Sequence, residues 1–276
     1  MDTNKLSATL LSGKVAIVSG STQGIGADIA RVLAACGASV VLLGHGMAAG
    51  QALAAELLDA GAAGALYCAT NVESDADIEH CIAQTLAHFG RLDILVNNAC
   101  IYSDQGLDST RAQWHQTLGV NLISAAIFAQ KAVPHMGAGA VIVNLGSTGG
   151  KFGAAGRALY PASKAALLQL TKNLAVTLAP NGIRVVAVSP AWTWSPAIAA
   201  LSGGSRGAAD AVAAPFHPLG RVGDGAEVGQ AVAFLASSAA SWITGVDIPV
   251  DGGFSVLGPD RGIAPRAWFA QAGEAA

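Results

Sequence analysis

Charge is scarce in this sequence. Of 276 residues only 15 are Lys or Arg and 18 are Asp or Glu, which gives 12% charged residues and a formal net charge of −3. A chain so poor in basic residues, with no basic cluster, lacks the electrostatic footprint of a nucleic-acid binder. Long apolar runs are missing too. Each is broken by Gly, Pro, Lys or a polar residue before about 18 positions, short of a membrane span. The hydrophobic stretch in MDTNKLSATLLSGK is too short for a signal peptide or a span. The four cysteines, Cys36, Cys68, Cys81 and Cys100, form no CxxC and no even framework, so they read as reduced and mostly buried thiols. The six histidines make no HExxH or comparable ligand pair, so no metal site is expected. No linker or change of composition divides the chain. One domain over residues 1–276, in the cytoplasm, is the expectation.

What is present is apolar and small. The hydrophobic fraction is 52% and 34 residues are glycine. Abundant Ala and Gly with little charge suggest closely packed helices and surface buried in an oligomer. Short apolar runs alternate with helical patterns. KVAIVS (14–19), ASVVLL (38–43), ALYCAT (65–70), DILVNNA (93–99), AVIVNLGS (140–147), IRVVAVSP (183–190) and VDIPVDGG (246–253) read as strands. Helical patterns cover 24–37, 48–61, 75–89, about 111–136, 158–179 and 226–238. Strand runs without in/out alternation are buried on both faces. The order therefore predicts an α/β fold, a doubly wound seven-stranded parallel sheet with helices on both faces. Ligands of such sheets bind at the carboxyl ends of the strands, where the winding reverses.

The first strand runs into GSTQGIG, with Gly20, Gly24 and Gly26 before a helix. Glycines there let the backbone approach a pyrophosphate, and the helix start offers free N–H groups. Further on, ALYPASKAA places Tyr160 and Lys164 four residues apart on one helix face. A phenol is a poor acid–base group at neutral pH. An ammonium about 4 Å away, at an effective dielectric near 20, adds about 4 kcal/mol of attraction to the phenolate. That suits Tyr160 to exchanging a proton with an alcohol or ketone. Ser147, thirteen residues earlier at a strand end, can hydrogen-bond the reacting oxygen. Asn121, in a helical VNL segment, would hold a backbone kink or a water beside Lys164.

Together GSTQGIG (20–26), NNA (97–99), Asn121 in GVNL, Ser147, YPASK (160–164), Pro190 and Trp192 in SPAW, and VDGG (250–253) resemble the short-chain dehydrogenase/reductase family in order and spacing, over about residues 12–255. The resemblance implies a Rossmann sheet and an NAD(P)-dependent interconversion of secondary alcohol and ketone. It implies Asn121, Ser147, Tyr160 and Lys164 as the catalytic tetrad, with homotetramers as the commonest assembly. It also implies cofactor contacts from Gly20, Ser21, Thr22, Gln23, Gly24, Ile25 and Gly26, from Gly44 and His45, from Asn71 and Val72, and from Asn98 and Ala99. Tyr160, Lys164, Pro190, Trp192 and Ser195 would complete them at the nicotinamide end.

The sequence departs from the pattern at Cys100, where NNAG is usual, at Ala191, where PG is usual, and at Asn71, where an Asp often stands. None removes a catalytic group. NAD-preferring members usually have Asp where Gly44 stands, and NADP-preferring members often have Arg where His45 stands; neither rule is met. The GHG strand end and the GSTQGIG loop are similar to those of bacterial 3-hydroxybutyrate dehydrogenases, which use NAD. NAD is therefore the expected cofactor. Arg157 matches a basic, carboxylate-binding residue of those enzymes, but Tyr102 and Gly149 replace their other carboxylate-binding side chains. Residues 191–218 stand where the family has its substrate loop. Tyr102, Phe152, Arg157, Trp192 and Trp194 are the expected substrate contacts. Residues 254–276 form a C-terminal extension that would either cross to a neighbouring subunit or fray. Two other readings stay open: an NADP(H)-dependent carbonyl reductase, and a non-catalytic cofactor-binding regulatory subunit.

Overall fold

A computed structural model describes residues 6–258 and 260–274. The first five residues of the amino-terminal stretch, and Pro259 and residues 275–276 of the C-terminal extension, lie outside the described residues.

The chain alternates strand and helix as its apolar runs dictate. It passes through β1 (Val15–Ser19), α1 (Gly24–Ala35), β2 (Ser39–Gly44), α2 (Met47–Asp59), β3 (Ala65–Ala69), α3 (Asp75–Phe89) and β4 (Leu92–Asn97). Then come α4 (Arg111–Leu118), α5 (Ser124–Ala132), β5 (Met136–Leu145), α6 (Leu159–Leu178), β6 (Arg184–Pro190), α7 (Pro196–Leu201), α8 (Arg206–Ala213), α9 (Gly225–Ala236), β7 (Asp247–Val250) and α10 (Pro265–Glu274). The seven strands form one sheet in the order β3-β2-β1-β4-β5-β6-β7. Every pairing is parallel. The winding reverses between β1 and β4, which opens a crevice at their carboxyl ends.

The strands bury both faces, and the period of two divides their side chains between two cores. Val18, Val40, Leu42, Val96 and Val143 point to the side covered by α1 and α9. Ile17, Val41, Leu43, Leu95 and Ile142 point to the other, against Ile78 of α3 and Phe128 of α5. Small residues bring α1 and α9 unusually close. A Cβ at Gly225 would lie 2.1 Å from the Asp28 carboxylate, and one at Gly229 would lie 2.8 Å from the Val32 side chain. This close contact is one reason the sequence is rich in glycine.

Two regions differ from the sequence expectation. The helix expected over about 111–136 is divided by a π turn at Gly119–Ile123, between α4 and α5. The side chain of Asn121, inside that turn, is committed to other parts of the chain. The segment 191–218 contains two short helices. Ser195 and Ser205 cap them by accepting N–H bonds from Ile198 and Ala208, and Pro196 opens the first.

At the amino-terminal edge of the sheet, the Asp93 carboxylate accepts bonds from the Val15 N–H (2.9 Å), Lys14 Nζ (3.3 Å) and Arg91 Nε (2.8 Å). Burial alone would raise this carboxyl's pKa. The Arg91 and Val15 bonds and the Lys14 charge outweigh burial and hold it below the ordinary value. A carboxyl depressed on folding stabilises fully above its unfolded pKa, near 3.9, and ceases to as pH falls through its folded pKa. Asp93→Asn is expected to cost about 1.5–3 kcal/mol at pH 7. Urea unfolding at pH 7 and pH 3 checks this, with the difference between variant and parent shrinking at pH 3.

Candidate active site

The glycine loop after β1 is built for close approach. Gly20 takes φ +63, and a Cβ there would lie 2.8 Å from the Ala99 backbone. A Cβ at Gly26 would lie 2.3 Å from the Gly20 carbonyl oxygen. Gln23, at the N-cap of α1, makes no side-chain cap, and the first turn has no acidic residue. The N–H groups there remain open to an anion. Ser21 ties the loop to β2: its hydroxyl accepts from the Leu43 N–H at 3.0 Å, and its own N–H donates to the Leu43 carbonyl at 3.0 Å. Asn98 ties it to β4. Its side-chain amide donates to the carbonyls of Ser19 (2.8 Å) and Gly20 (3.1 Å). The Ser19 hydroxyl accepts from the N–H groups of Asn98 and Ala99.

At the end of β2, Thr22 occupies the space over Gly44, where a Cβ would meet it at 3.1 Å. The Tyr67 hydroxyl donates to the Gly44 carbonyl, and His45 is exposed. Beyond β3, the Asn71 N–H donates to Asp77, and its carboxamide oxygen accepts from the Glu73 N–H. Val72 beside it is buried in the second core.

The residues expected to carry acid–base chemistry lie on the other side of the crevice. Ser147 follows β5, and its hydroxyl accepts the Gly149 N–H at 3.0 Å. Tyr160 is the second residue of α6 and only 7% exposed. Lys164, one turn later, is 2% exposed. Its Nζ donates to the Leu145 carbonyl at 2.6 Å and lies 5.7 Å from the centre of the Tyr160 ring. Asn121 accepts the Ile101 N–H (2.8 Å) and donates to the Ile101 carbonyl and to Ser163 Oγ (3.1 Å each). It thus joins the π turn to the loop after β4 and to α6.

Aromatic and cationic groups surround the phenol. The Tyr102 ring stacks on Tyr160 with centroids 4.8 Å apart and planes at 28°. The Arg157 guanidinium lies 5.2 Å from the Tyr160 ring centre. Tyr102 is 59% exposed over its whole surface. The protein mass around its hydroxyl, and then Cys100 and Tyr160, nevertheless push its pKa upward, so it stays a neutral donor.

Ser147 and Tyr160 border two spaces. A small recess of about 70 Å³ is lined by Asn98, Cys100, Lys164 and Pro190 among others. A cleft of about 920 Å³ is lined by Tyr102, Phe152, Arg157, Trp192, Ile198 and Ser195 among others. Most of the expected substrate contacts thus meet in one cleft. Trp194 does not line it. It packs against Ala209, Ala213 and Val222 with Ile198, and Arg206 lies 5.6 Å from its ring. Arg206 also pairs with Asp210 and Asp224 and donates to the Val222 carbonyl, which latches α8 down. Sequence reading missed the apolar wall from α7 and α8, though the spacing of Ile198 and Leu201 carries that signal. It also missed Asp104, whose carboxylate accepts from the backbone N–H groups of Ala158 and Tyr160. No local pattern marks that residue. Among the described residues no group of His, Cys, Asp or Glu is placed to hold a metal ion, and the four thiols are free.

Known proteins match this arrangement. A family model described as enoyl-(acyl carrier protein) reductase matches residues 20–255. The cis-4-hydroxycyclohexanecarboxylate dehydrogenase of Sinomonas cyclohexanicum is 39% identical, over 88% of this chain and 97% of that protein. The L-fucose dehydrogenase of Oryctolagus cuniculus is 37% identical, over 95% of this chain and 90% of that one. Among solved structures, a Burkholderia cenocepacia short-chain dehydrogenase in complex with NADP has a TM-score of 0.82 at 34% identity, covering 89% of this chain and 99% of its own. Sheet, crevice and relatives define a nicotinamide-dependent oxidoreductase of alcohols and ketones. The chain belongs to the short-chain dehydrogenase/reductase family.

The backbone contact at Gly26 gives a direct test of the crevice. Gly26→Ala is expected to cost about 1–3 kcal/mol through overpacking and to weaken binding of the nicotinamide cofactor by about tenfold or more, a loss of about 1.4 kcal/mol. Nicotinamide fluorescence titration of parent and variant measures it.

Proposed function

We propose that the protein is an NAD-dependent dehydrogenase of a secondary alcohol. Asn121, Ser147, Tyr160 and Lys164 form its catalytic group, and residues 191–218 form its substrate loop. One observation carries the reading: Ser147 and Tyr160 border both the recess holding Lys164 and the apolar cleft. A carbinol oxygen placed between them meets two hydroxyls at once. The nicotinamide, when bound, supplies the two-electron acceptor. Ser147 holds the substrate oxygen, and the Tyr160 phenol oxygen is the acceptor for the hydroxyl proton. Lys164 sets a positive charge beside that phenol, and its bond to the Leu145 carbonyl fixes where the charge stands. Asn121 holds the backbone on either side through Ile101 and Ser163. The return reaction uses the same groups in reverse.

Preference for NAD is supported by the absence of a cation for a 2'-phosphate. No Lys or Arg occurs between Arg31 and Arg91, a stretch that includes β2, α2, β3 and α3 and carries six carboxylates. Arg31 itself is paired with Asp28 and Glu56. The substrate reading rests on the cleft lining, whose charged side chain among the described residues is Arg157 alone. An apolar alcohol bearing an anionic substituent suits it. The named substrate of the Sinomonas relative likewise joins a hydroxyl, a ring and a carboxylate. We extend the reading to a homotetramer in the cytoplasm. No described helix is long and apolar enough to cross a membrane. Val176 of α6, Phe234 of α9, and Trp242 and Val246 before β7 leave apolar surface uncovered, Trp242 being 98% exposed.

Fluorescence titration is expected to show NADH binding at least about tenfold more tightly than NADPH, a gap of about 1.4 kcal/mol. The opposite preference would favour an NADP(H)-dependent carbonyl reductase. Tyr160→Phe is expected to lower kcat by roughly 10²–10⁴ with NADH binding retained. Arg157→Gln should raise KM for hydroxy acids and leave uncharged alcohols unaffected in KM, as steady-state assays on paired substrates will read.

A further inference from the structure

The helix that carries Tyr160 has no cap of its own. Its N-cap residue is Ala158, which makes no side-chain bond to the first turn. The open N–H groups are met from far away in sequence. Asp104 Oδ1 and Oδ2 accept from the Ala158 N–H at 2.9 and 3.0 Å, and Oδ2 accepts from the Tyr160 N–H at 3.0 Å. Oδ1 also accepts from the Gly106 N–H at 3.0 Å, within Asp104's own loop. A single carboxylate therefore fastens the loop after β4 to the start of α6, at the positive end of a 20-residue helix.

The fastening is tight. Gly106 takes φ +59, and a Cβ there would lie 3.0 Å from the Gly156 carbonyl carbon, so the two backbones meet directly. Burial raises the Asp104 carboxyl's pKa, but the N–H groups of Gly106, Ala158, Tyr160 and Leu159 outweigh it and hold it below the ordinary range. Two residues before Asp104 stands Tyr102, whose ring stacks on Tyr160. The carboxylate thus fixes the backbone under the phenol and the loop that delivers the ring beside it.

We propose that Asp104 is a positioning residue for alcohol oxidation. It sets the Tyr160 phenol at the substrate oxygen by holding the Tyr160 N–H and the Tyr102 loop in one place. The proposal rests on the reading of Tyr160 as proton acceptor. A misplacement of about 1 Å in a catalytic group costs on the order of 100-fold in rate. Asp104→Ala is therefore expected to lower kcat by about 30–100-fold, with NADH affinity within about twofold of the parent. The glycine loop proposed to hold the dinucleotide is tied to β2 through Ser21 and to β4 through Asn98, not to Asp104. Asp104→Asn keeps one acceptor oxygen. It should recover kcat to within about tenfold of the parent, a residual loss of at most about 1.4 kcal/mol.

Steady-state kinetics, NADH titration and thermal unfolding of both variants, run beside Tyr160→Phe, make the test. A kcat of Asp104→Ala within about threefold of the parent overturns the proposal. So does a joint fall of kcat, NADH affinity and unfolding midpoint in both variants, because that is a structural role. Should Asp104→Ala not fold, Asp104→Asn decides. A kcat at least about threefold lower with NADH affinity kept supports the proposal, and an unchanged kcat sinks it. If Tyr160→Phe keeps full kcat, the reading of Tyr160 fails instead, whatever Asp104 does.

Discussion

Where the sheet reverses its winding, Ser19 and Asn98 exchange hydrogen bonds, and both halves of the site hang from them. The Asn98 side chain draws the carbonyls of Ser19 and Gly20 toward β4, and the Ser19 hydroxyl holds the N–H groups of Asn98 and Ala99. A parallel sheet leaves backbone groups unpaired at the strand ends beside a reversal, and unpaired buried groups are costly. Here side chains satisfy them, and the same bonds set the glycine loop and the loop after β4 at a fixed separation. The first loop opens the α1 end of the crevice, with the uncapped N–H groups of that helix beside it. The second continues to Cys100, Tyr102 and Asp104, and so to the phenol of Tyr160.

The scarcity of charge follows from how the sheet is covered. With both faces of the strands buried, the helices on one side must pack against the sheet and against each other. Gly225 and Gly229 let α9 touch α1 at distances a side chain would forbid. Among the charges that remain, the more buried ones sit where backbone or partner groups offset their desolvation. Asp93 is held at the sheet edge, and Arg206 is held among Asp210, Asp224 and Val222.

Much of this was legible in the sequence because the signals are local. Buried strand runs, GSTQGIG and the four-residue spacing of Tyr160 and Lys164 each lie within one turn or one strand, so their geometry follows from chain connectivity. The π turn at Gly119–Ile123 was foreshadowed only as a kink at Asn121, since what fixes it is a pair of bonds to Ile101 and Ser163. Trp194 was misjudged for the same reason. An aromatic in a loop faces either the cleft or a neighbouring helix, and only the packing of α8 decides it. Asp104 was invisible because its partners lie 54 and 56 residues away.

The small cluster of Trp194, Ile198, Ala209, Ala213 and Val222 is separate from the two cores that cover the sheet. The cleft wall from α7 and α8 is therefore a tile with its own filling. Side chains on its inner face belong to a filling that shares no residue with the cores around the strands. Divergence of substrate range within such a lineage would then be recorded mainly in this tile, while the oxidation–reduction chemistry beneath it stays constant.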